Sequence, residues 1–135
     1  MSTATTRLRV RFKETDQMGV VHHSEYPVWL EVARIEWLRD RGLSYRELED
    51  SGISLAVSEL EVTYRAAARF DDLLEVTTML SESRSRRFTF DYRISRPADA
   101  VVIATATTRH VPTDRTGRAV RMPDDWLSAL SVRVA

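Results

Sequence analysis

The chain has 135 residues, 43% of them hydrophobic, with 20 basic side chains set against 20 acidic ones. That length suits one domain, residues 1–135, with a two-layer core, and the balanced charge excludes a disordered chain or a bulk polyanion binder such as a nucleic-acid protein. There is no cysteine, which removes disulfide frameworks, thiol nucleophiles and thiolate metal sites and leaves any catalysis to oxygen and nitrogen groups.

The opening MSTATTRLRV lacks the apolar core of a signal peptide, and no apolar run approaches bilayer length, so a cytoplasmic protein without a membrane span is expected. Residues 1–6 read as a flexible tail. Leu8, Val10 and Phe12 then alternate with Arg7, Arg9, Arg11 and Lys13 in the period of a half-buried first strand.

The chain is organised around Thr15 to Gly42, TDQMGVVHHSEYPVWLEVARIEWLRDRG. A loop carrying Asp16, Gly19, His22 and His23 leads into a segment of helical period. Tyr26, Trp29, Leu30, Ala33 and Trp37 fall on one face, and Val28, Val32, Ile35 and Leu38 on the next, leaving a narrow polar strip with Glu31, Arg34 and Glu36. This pattern predicts a buried helix, with Glu31 and Arg34 spaced for an ion pair. Ser24 suits the N-cap, Pro27 is tolerated only in the first turn, and Gly42 stops the helix. LSYRELEDSG reads as a second, short helix capped by Ser44 with Glu47 three residues on, and closed by Gly52.

From Ile53 the period becomes that of a strand. Ile53, Leu55 and Val57 hold one phase and Leu60, Val62 and Tyr64 the other, which predicts a bulge near Ser58 or Glu59. LLEVTTML, RRFTFDYRIS and VVIATATTRHV give three more strands, and PDDWLSAL closes with a short helical turn. One strand, two helices and four strands leave too few crossovers for a doubly wound sheet, so an α+β architecture with one five-stranded antiparallel sheet follows.

The chemistry points to the helix start. Unpaired N–H groups and a partial positive charge there lie beside Asp16 and His23, and would polarise a carbonyl oxygen. The run from Asp16 through Gly19, Val20, Val21, His23 and Tyr26 to Trp29, Leu30 and Glu31 resembles the signature of hotdog-fold acyl-CoA thioesterases of the 4-hydroxybenzoyl-CoA thioesterase type. The resemblance implies a hotdog fold, a five-stranded antiparallel sheet wrapped around a long central helix. It also implies hydrolysis of a small or medium acyl thioester to free acid and coenzyme A. Asp16 would act as general base or nucleophile, and the His23 backbone N–H as the oxyanion donor. Gly19, Val20 and Tyr26 would line the substrate.

Each residue also has a plainer reading. Asp16 alone reads as a turn aspartate, Gly19 as a turn glycine, and Tyr26, Trp29 and Trp37 as core. His22 reads as a neighbour of His23 rather than its partner, because adjacent side chains seldom face the same way. Asp16, His22 and His23 lack a well-spaced further ligand, so no metal is expected, and the resembled chemistry needs no cofactor beyond the coenzyme A of the substrate. Arg84, Arg86 and Arg87 sit between the third and fourth strands, either as a solvated edge or, as the resemblance implies, as a grip on coenzyme A phosphates. The resemblance further implies a homotetramer, a dimer of dimers. Two other classes share the fold: a non-catalytic acyl-CoA-binding module and a hotdog dehydratase.

Overall fold

The computed structural model describes residues 3–131. Strand β1 (Thr3–Arg9) is followed by a 3₁₀ turn, Phe12–Glu14, and a second, His23–Glu25, runs directly into helix α1 (Tyr26–Asp40). Helix α2 (Tyr45–Asp50), strands β2 (Ser54–Tyr64), β3 (Leu73–Arg84), β4 (Arg87–Arg96) and β5 (Val101–Thr113), and helix α3 (Asp124–Ala129) complete the chain. The strands form one antiparallel sheet in the order β1-β3-β4-β5-β2. With α1 laid across one face, this is the α+β hotdog arrangement the sequence predicts.

Alternation sets the two faces of the sheet. Leu74, Val76 and Leu80 of β3, Phe88, Phe90 and Ile94 of β4, and Ile103 and Ala104 near the start of β5 are fully buried or nearly so. Against them α1 lays Tyr26, Trp29, Leu30, Ala33, Trp37 and Leu38. Trp37 meets Phe90 edge to face with ring centroids 5.3 Å apart.

Three local expectations are corrected. Residues 3–6 are not a tail: Thr3–Arg9 pairs residue for residue with β3, Ala4 is buried, and the threonines suit a strand. Residues 1–2 lie outside the described residues. That strand ends at Arg9, so Val10 is buried beyond it, and Phe12 stands 75% exposed in the 3₁₀ turn. Ser24 is not the cap of α1: Glu25 holds that position without a side-chain cap bond, and the 3₁₀ turn before it is capped by His22, whose Nδ1 accepts from Ser24 N at 3.2 Å.

Elsewhere the local grammar holds. Ser44 Oγ accepts from Glu47 N at 3.2 Å. Gly42 takes φ +73°, a conformation costly for any residue with a Cβ, and so ends α1. The register of β2 against β5 slips between Val57 and Glu59, leaving Ser58 as the extra residue.

The second apolar stripe of α1 is only partly buried in the chain: Leu38 joins the core, while its N-terminal members stay open. Val28 is 43% exposed and Val32 45%. In β2, Val57, Leu60 and Tyr64 pair with His110, Thr108 and Ala104 and share their inner face, yet each stays about half exposed. Helix and strand thus leave an open groove of about 240 Å³, lined by Pro27, Val28, Glu31, Arg34, Val57, Leu60 and Thr108.

Candidate active site

The loop from Asp16 to Val20 is closed by its own backbone. Asp16 N donates to Val20 O (2.8 Å) and Gly19 N to Asp16 O (3.0 Å), and Gly19 has φ +77°. A non-glycine residue there would carry left-handed strain. Isolated bridges Thr15 to Val21 and Val20 to Arg69 pin the loop, and Val21 N donates to Ala68 O at 2.8 Å. Asp16 is half-buried. Its Oδ1 accepts from Met18 N at 2.9 Å, and among the described residues its Oδ2 has no hydrogen-bond partner.

Beneath the loop lies Glu14, a residue the sequence reading passed over. Its carboxylate, 1% exposed, accepts from Arg11 N (2.7 Å), Arg11 Nη2 (3.2 Å) and the indole Nε1 of Trp29 (2.9 Å). Its carbonyl accepts from His22 N at 2.9 Å. Glu14 therefore ties the loop to both the start and the body of α1. Burial pushes its carboxyl up, but the three donated hydrogen bonds and the charge of Arg11 outweigh this and hold it below the ordinary value. The one signal for it in sequence is the Arg11 to Glu14 spacing, which a surface pair shares.

At the helix start Glu25 N donates to His22 O and Ser24 N to His22 Nδ1. Among the described residues no acceptor meets the His23 N–H. The His23 carbonyl is held by Tyr64 Oη at 2.8 Å. The His22 and His23 rings pack 4.1 Å apart, so the two neighbours do face each other, contrary to the expectation from their adjacency. His22 lies just outside the 3₁₀ turn, as its cap, with an extended backbone (φ −65°, ψ 140°), so helical side-chain spacing does not govern the pair. Tyr26 is buried against Trp29 and Tyr64, each 4.9 Å away, and burial, then the nearby Tyr64, raises its hydroxyl pKa.

The groove starts one turn beyond His23, at Pro27 and Val28, and has a polar floor that sequence did not reveal. Arg34 contacts Tyr92 Oη (3.3 Å) rather than pairing with Glu31 as the spacing suggests. Tyr92 Oη lies 2.6 Å from Thr108 Oγ1, which lies 2.8 Å from His110 Nε2. Arg34 can only donate, so Tyr92 accepts from it. With a neutral imidazole whose Nδ1–H faces Leu55 O at 3.5 Å, Thr108 donates to His110 Nε2 and Tyr92 to Thr108. Burial, reinforced by the charge of Arg34, favours that neutral imidazole and lowers its pKa from 6.5 to about 4.

Arg84, Arg86 and Arg87 occupy the β3–β4 turn, exposed, with Arg84 Nε 3.2 Å from Glu82. The Asp16 loop sits by the other end of β3, since Val10, just before it, bonds to Asp72. Twelve residues of strand at about 3.3 Å each separate the two within one chain. The structure thus brings Asp16, Gly19, Val20, His23 and Tyr26 together and leaves the arginines apart.

Comparison with known proteins identifies the fold. Residues 10–130 match the family described as the thioesterase-like superfamily. The acyl-CoA thioesterase YbgC of Haemophilus influenzae is 34% identical over 103 residues, covering 76% of this chain and 74% of that protein. A hypothetical protein of Thermus thermophilus superposes with a TM-score of 0.88 at 47% identity, over 93% of this chain and 95% of that one. The DHNA-CoA thioesterase of Staphylococcus aureus gives 0.92 at 28% identity, over 96% and 89%. With that match over most of its length and the fold in agreement, the chain belongs to the thioesterase-like superfamily.

Proposed function

We propose that the chain hydrolyses a small or medium acyl-CoA to the free acid and coenzyme A, with Asp16 as its catalytic carboxylate. The observation that carries this is the pairing of an unpartnered His23 N–H with the Asp16 carboxylate on the adjoining loop, at the head of an apolar groove. A thioester whose acyl part lies along Val28, Val57 and Leu60 presents its carbonyl to the helix start. There the N–H and the helix dipole take up the charge that develops on oxygen.

Two courses satisfy this geometry. Asp16 takes a proton from water as the water adds to the carbonyl carbon, the C–S bond then breaks, and the thiolate of coenzyme A leaves and is protonated. Alternatively Asp16 attacks that carbon itself, expels the thiolate, and the resulting anhydride is hydrolysed. Neither course uses a metal or further cofactor. Gly19 and Val20 supply close backbone approach, and Tyr26 braces the wall.

In this reading the protein is cytoplasmic and works as an assembly, a dimer at least and a dimer of dimers in full. The half-exposed inner face of β2, an edge strand, needs a cover if the groove is to hold an acyl group away from water. Among the described residues no helix is long and apolar enough to cross a membrane. Arg84, Arg86 and Arg87 would reach a phosphate across a subunit boundary.

The test is Asp16→Asn, which keeps the side-chain outline and the bond from Met18 while removing the charge. Thiol release from the best acyl-CoA is expected to fall by at least about 10²-fold, in kcat rather than KM. A folded variant with near-parental kcat would reduce Asp16 to a loop residue. Label found in Asp16 after a single turnover in ¹⁸O water identifies the nucleophilic course with water attacking the aspartyl carbonyl of the anhydride, since general-base hydrolysis puts the label only in the acid product.

A further inference from the structure

The groove between α1 and β2 is apolar along much of its wall, yet it also carries a cation with no answering carboxylate. Arg34 lines the groove and is half-buried. On the same helix Arg39 pairs with Glu36 three residues before it. Arg34 does not pair with Glu31 at that spacing, and among the described residues no carboxylate lies within ion-pair distance of it. Its guanidinium donates instead to Tyr92 Oη at 3.3 Å. Such a cation is tolerable while water fills the groove and becomes costly once an acyl chain displaces that water.

The polar floor decides what answers it. With the imidazole of His110 neutral, Tyr92 commits its proton to Thr108, and Thr108 commits its own to His110. A guanidinium has several N–H donors and no acceptor. After the bond to Tyr92, the hydrogen-bonding capacity left at this end of the groove is chiefly that of Arg34, and it consists of donors. A group that enters must therefore bring acceptors, and the planar fork of an arginine matches a carboxylate through paired, parallel bonds. Glu31, also in the lining, is exposed, so water screens its charge. Pro27 to Arg34 spans about 10 Å of helix axis at about 1.5 Å per residue, which leaves room for a medium chain between a carbonyl at the helix start and a second polar group at Arg34.

Resting on the thioesterase reading above, we propose that Arg34 selects acyl groups with a carboxylate at the far end, so that the substrate class is the mono-coenzyme A thioester of a medium-chain dicarboxylic acid. The thioester lies at Asp16 and His23, the methylene chain along Val28, Val57 and Leu60, and the free carboxylate on the Arg34 guanidinium, which Tyr92 orients. Arg34 is then a specificity-determining residue, acting at the end of the acyl chain remote from the bond that breaks. A methyl-ended chain of the same length leaves the cation dry and unpaired.

The experiment measures kcat/KM for thiol release from acyl-CoAs of matched length ending in a methyl, a hydroxyl or a carboxylate. It uses the parent and Arg34→Gln, whose amide still has a donor for Tyr92. A charge-assisted pair of the usual strength predicts that the parent prefers the carboxyl-ended chain by about 10-fold or more. Arg34→Gln should lose that preference and turn toward the methyl-ended chain. A parent that favours the methyl-ended or hydroxyl-ended chain, or treats all three alike, overturns the proposal, as does an Arg34→Gln protein that keeps the carboxylate preference. Equal weakening toward all three substrates, with or without loss of the assembly in light scattering, would reduce Arg34 to a structural brace. Calorimetric titration of Asp16→Asn with the carboxyl-ended and methyl-ended acyl-CoAs reads the same preference without turnover and without altering Arg34. Tighter binding of the carboxyl-ended chain together with no thiol release by the parent would sink the hydrolysis reading and leave the Arg34 site standing. Ready hydrolysis of methyl-ended chains alone would do the reverse.

Discussion

Replacing Glu14 by alanine tests whether the buried carboxylate under the loop holds the site together. The side chain is 1% exposed and receives three hydrogen bonds, from Arg11 N, Arg11 Nη2 and Trp29 Nε1. Hydrogen bonds to a charged acceptor contribute roughly 1.5–3 kcal/mol each, and a buried donor left unpaired costs about 1–3 kcal/mol. The Trp29 indole, in a residue 3% exposed, is the donor least able to find water. Relief of the desolvated charge offsets part of the loss, so we expect about 3 kcal/mol of destabilisation, a large share of the roughly 5–15 kcal/mol available to a domain. Glu14→Gln keeps the volume and one acceptor oxygen but turns an amide donor toward other donors, and should cost less. Urea unfolding followed by circular dichroism avoids relying on the fluorescence of Trp29 itself. The pH dependence gives a second readout. The folded carboxyl titrates below its unfolded value, so its contribution is present above the ordinary carboxylate range and is lost as pH falls through the folded value. Glu14→Gln should flatten that part of the acid limb. A Glu14→Ala protein within about 0.5 kcal/mol of the parent would refute the bracing role.

Three further outcomes are expected. His110 takes up a proton near 6.5 when unfolded but only near about 4 when folded. Its contribution to stability is therefore intact at neutral pH and declines as pH falls between those values, by up to about 3 kcal/mol, a decline that His110→Asn should remove. Joint replacement of Arg84, Arg86 and Arg87 by alanine should raise KM for acyl-CoA several-fold with kcat little altered, and an unchanged KM would mark the turn as a solvated edge. Light scattering at micromolar concentration should return a tetramer, or at least a dimer, and a stable 15.5 kDa monomer would count against the groove as drawn.

The order of elements was legible because most of the local signals act within a few residues. The phase slip at Ser58 could be read because a single extra residue moves every later side chain of β2 to the other face. Ser44 and Glu47 marked α2 for the same local reason. Thr3 to Thr6 were misread because their strand character comes from Met79, Thr78, Thr77 and Val76 across the ladder, and a threonine run carries little periodicity of its own. Glu14 and the chain from Arg34 to His110 were illegible on similar grounds. Trp29 stands 15 residues from Glu14, Thr108 16 from Tyr92 and Tyr92 58 from Arg34, and no spacing rule reaches that far.

The apolar girth of α1 was read as a sign of burial, and the structure gives it a more specific meaning. A helix that only packs on a sheet needs one stripe, and here Trp29, Leu30, Ala33 and Trp37 supply it. Val28 exceeds what the core of one chain uses, as do Val57 and Leu60 on β2, whereas Val32 opens toward β1 beside Ala4 to Arg7. Surface that is apolar, turned inward and unfilled is the requirement for an acyl slot, which must exclude water when occupied yet not be packed by the protein itself. If α1 borders an acyl slot as proposed, a second apolar stripe beside a helix start with a free N–H is what would mark it in sequence. Glu31 and Arg34 strengthen the argument. They interrupt the second stripe and not the first, and the side chain of Arg34 turns to the buried hydroxyl of Tyr92. Polar groups at these positions would disrupt a packed core, but in a groove they set the end and the orientation of what enters it.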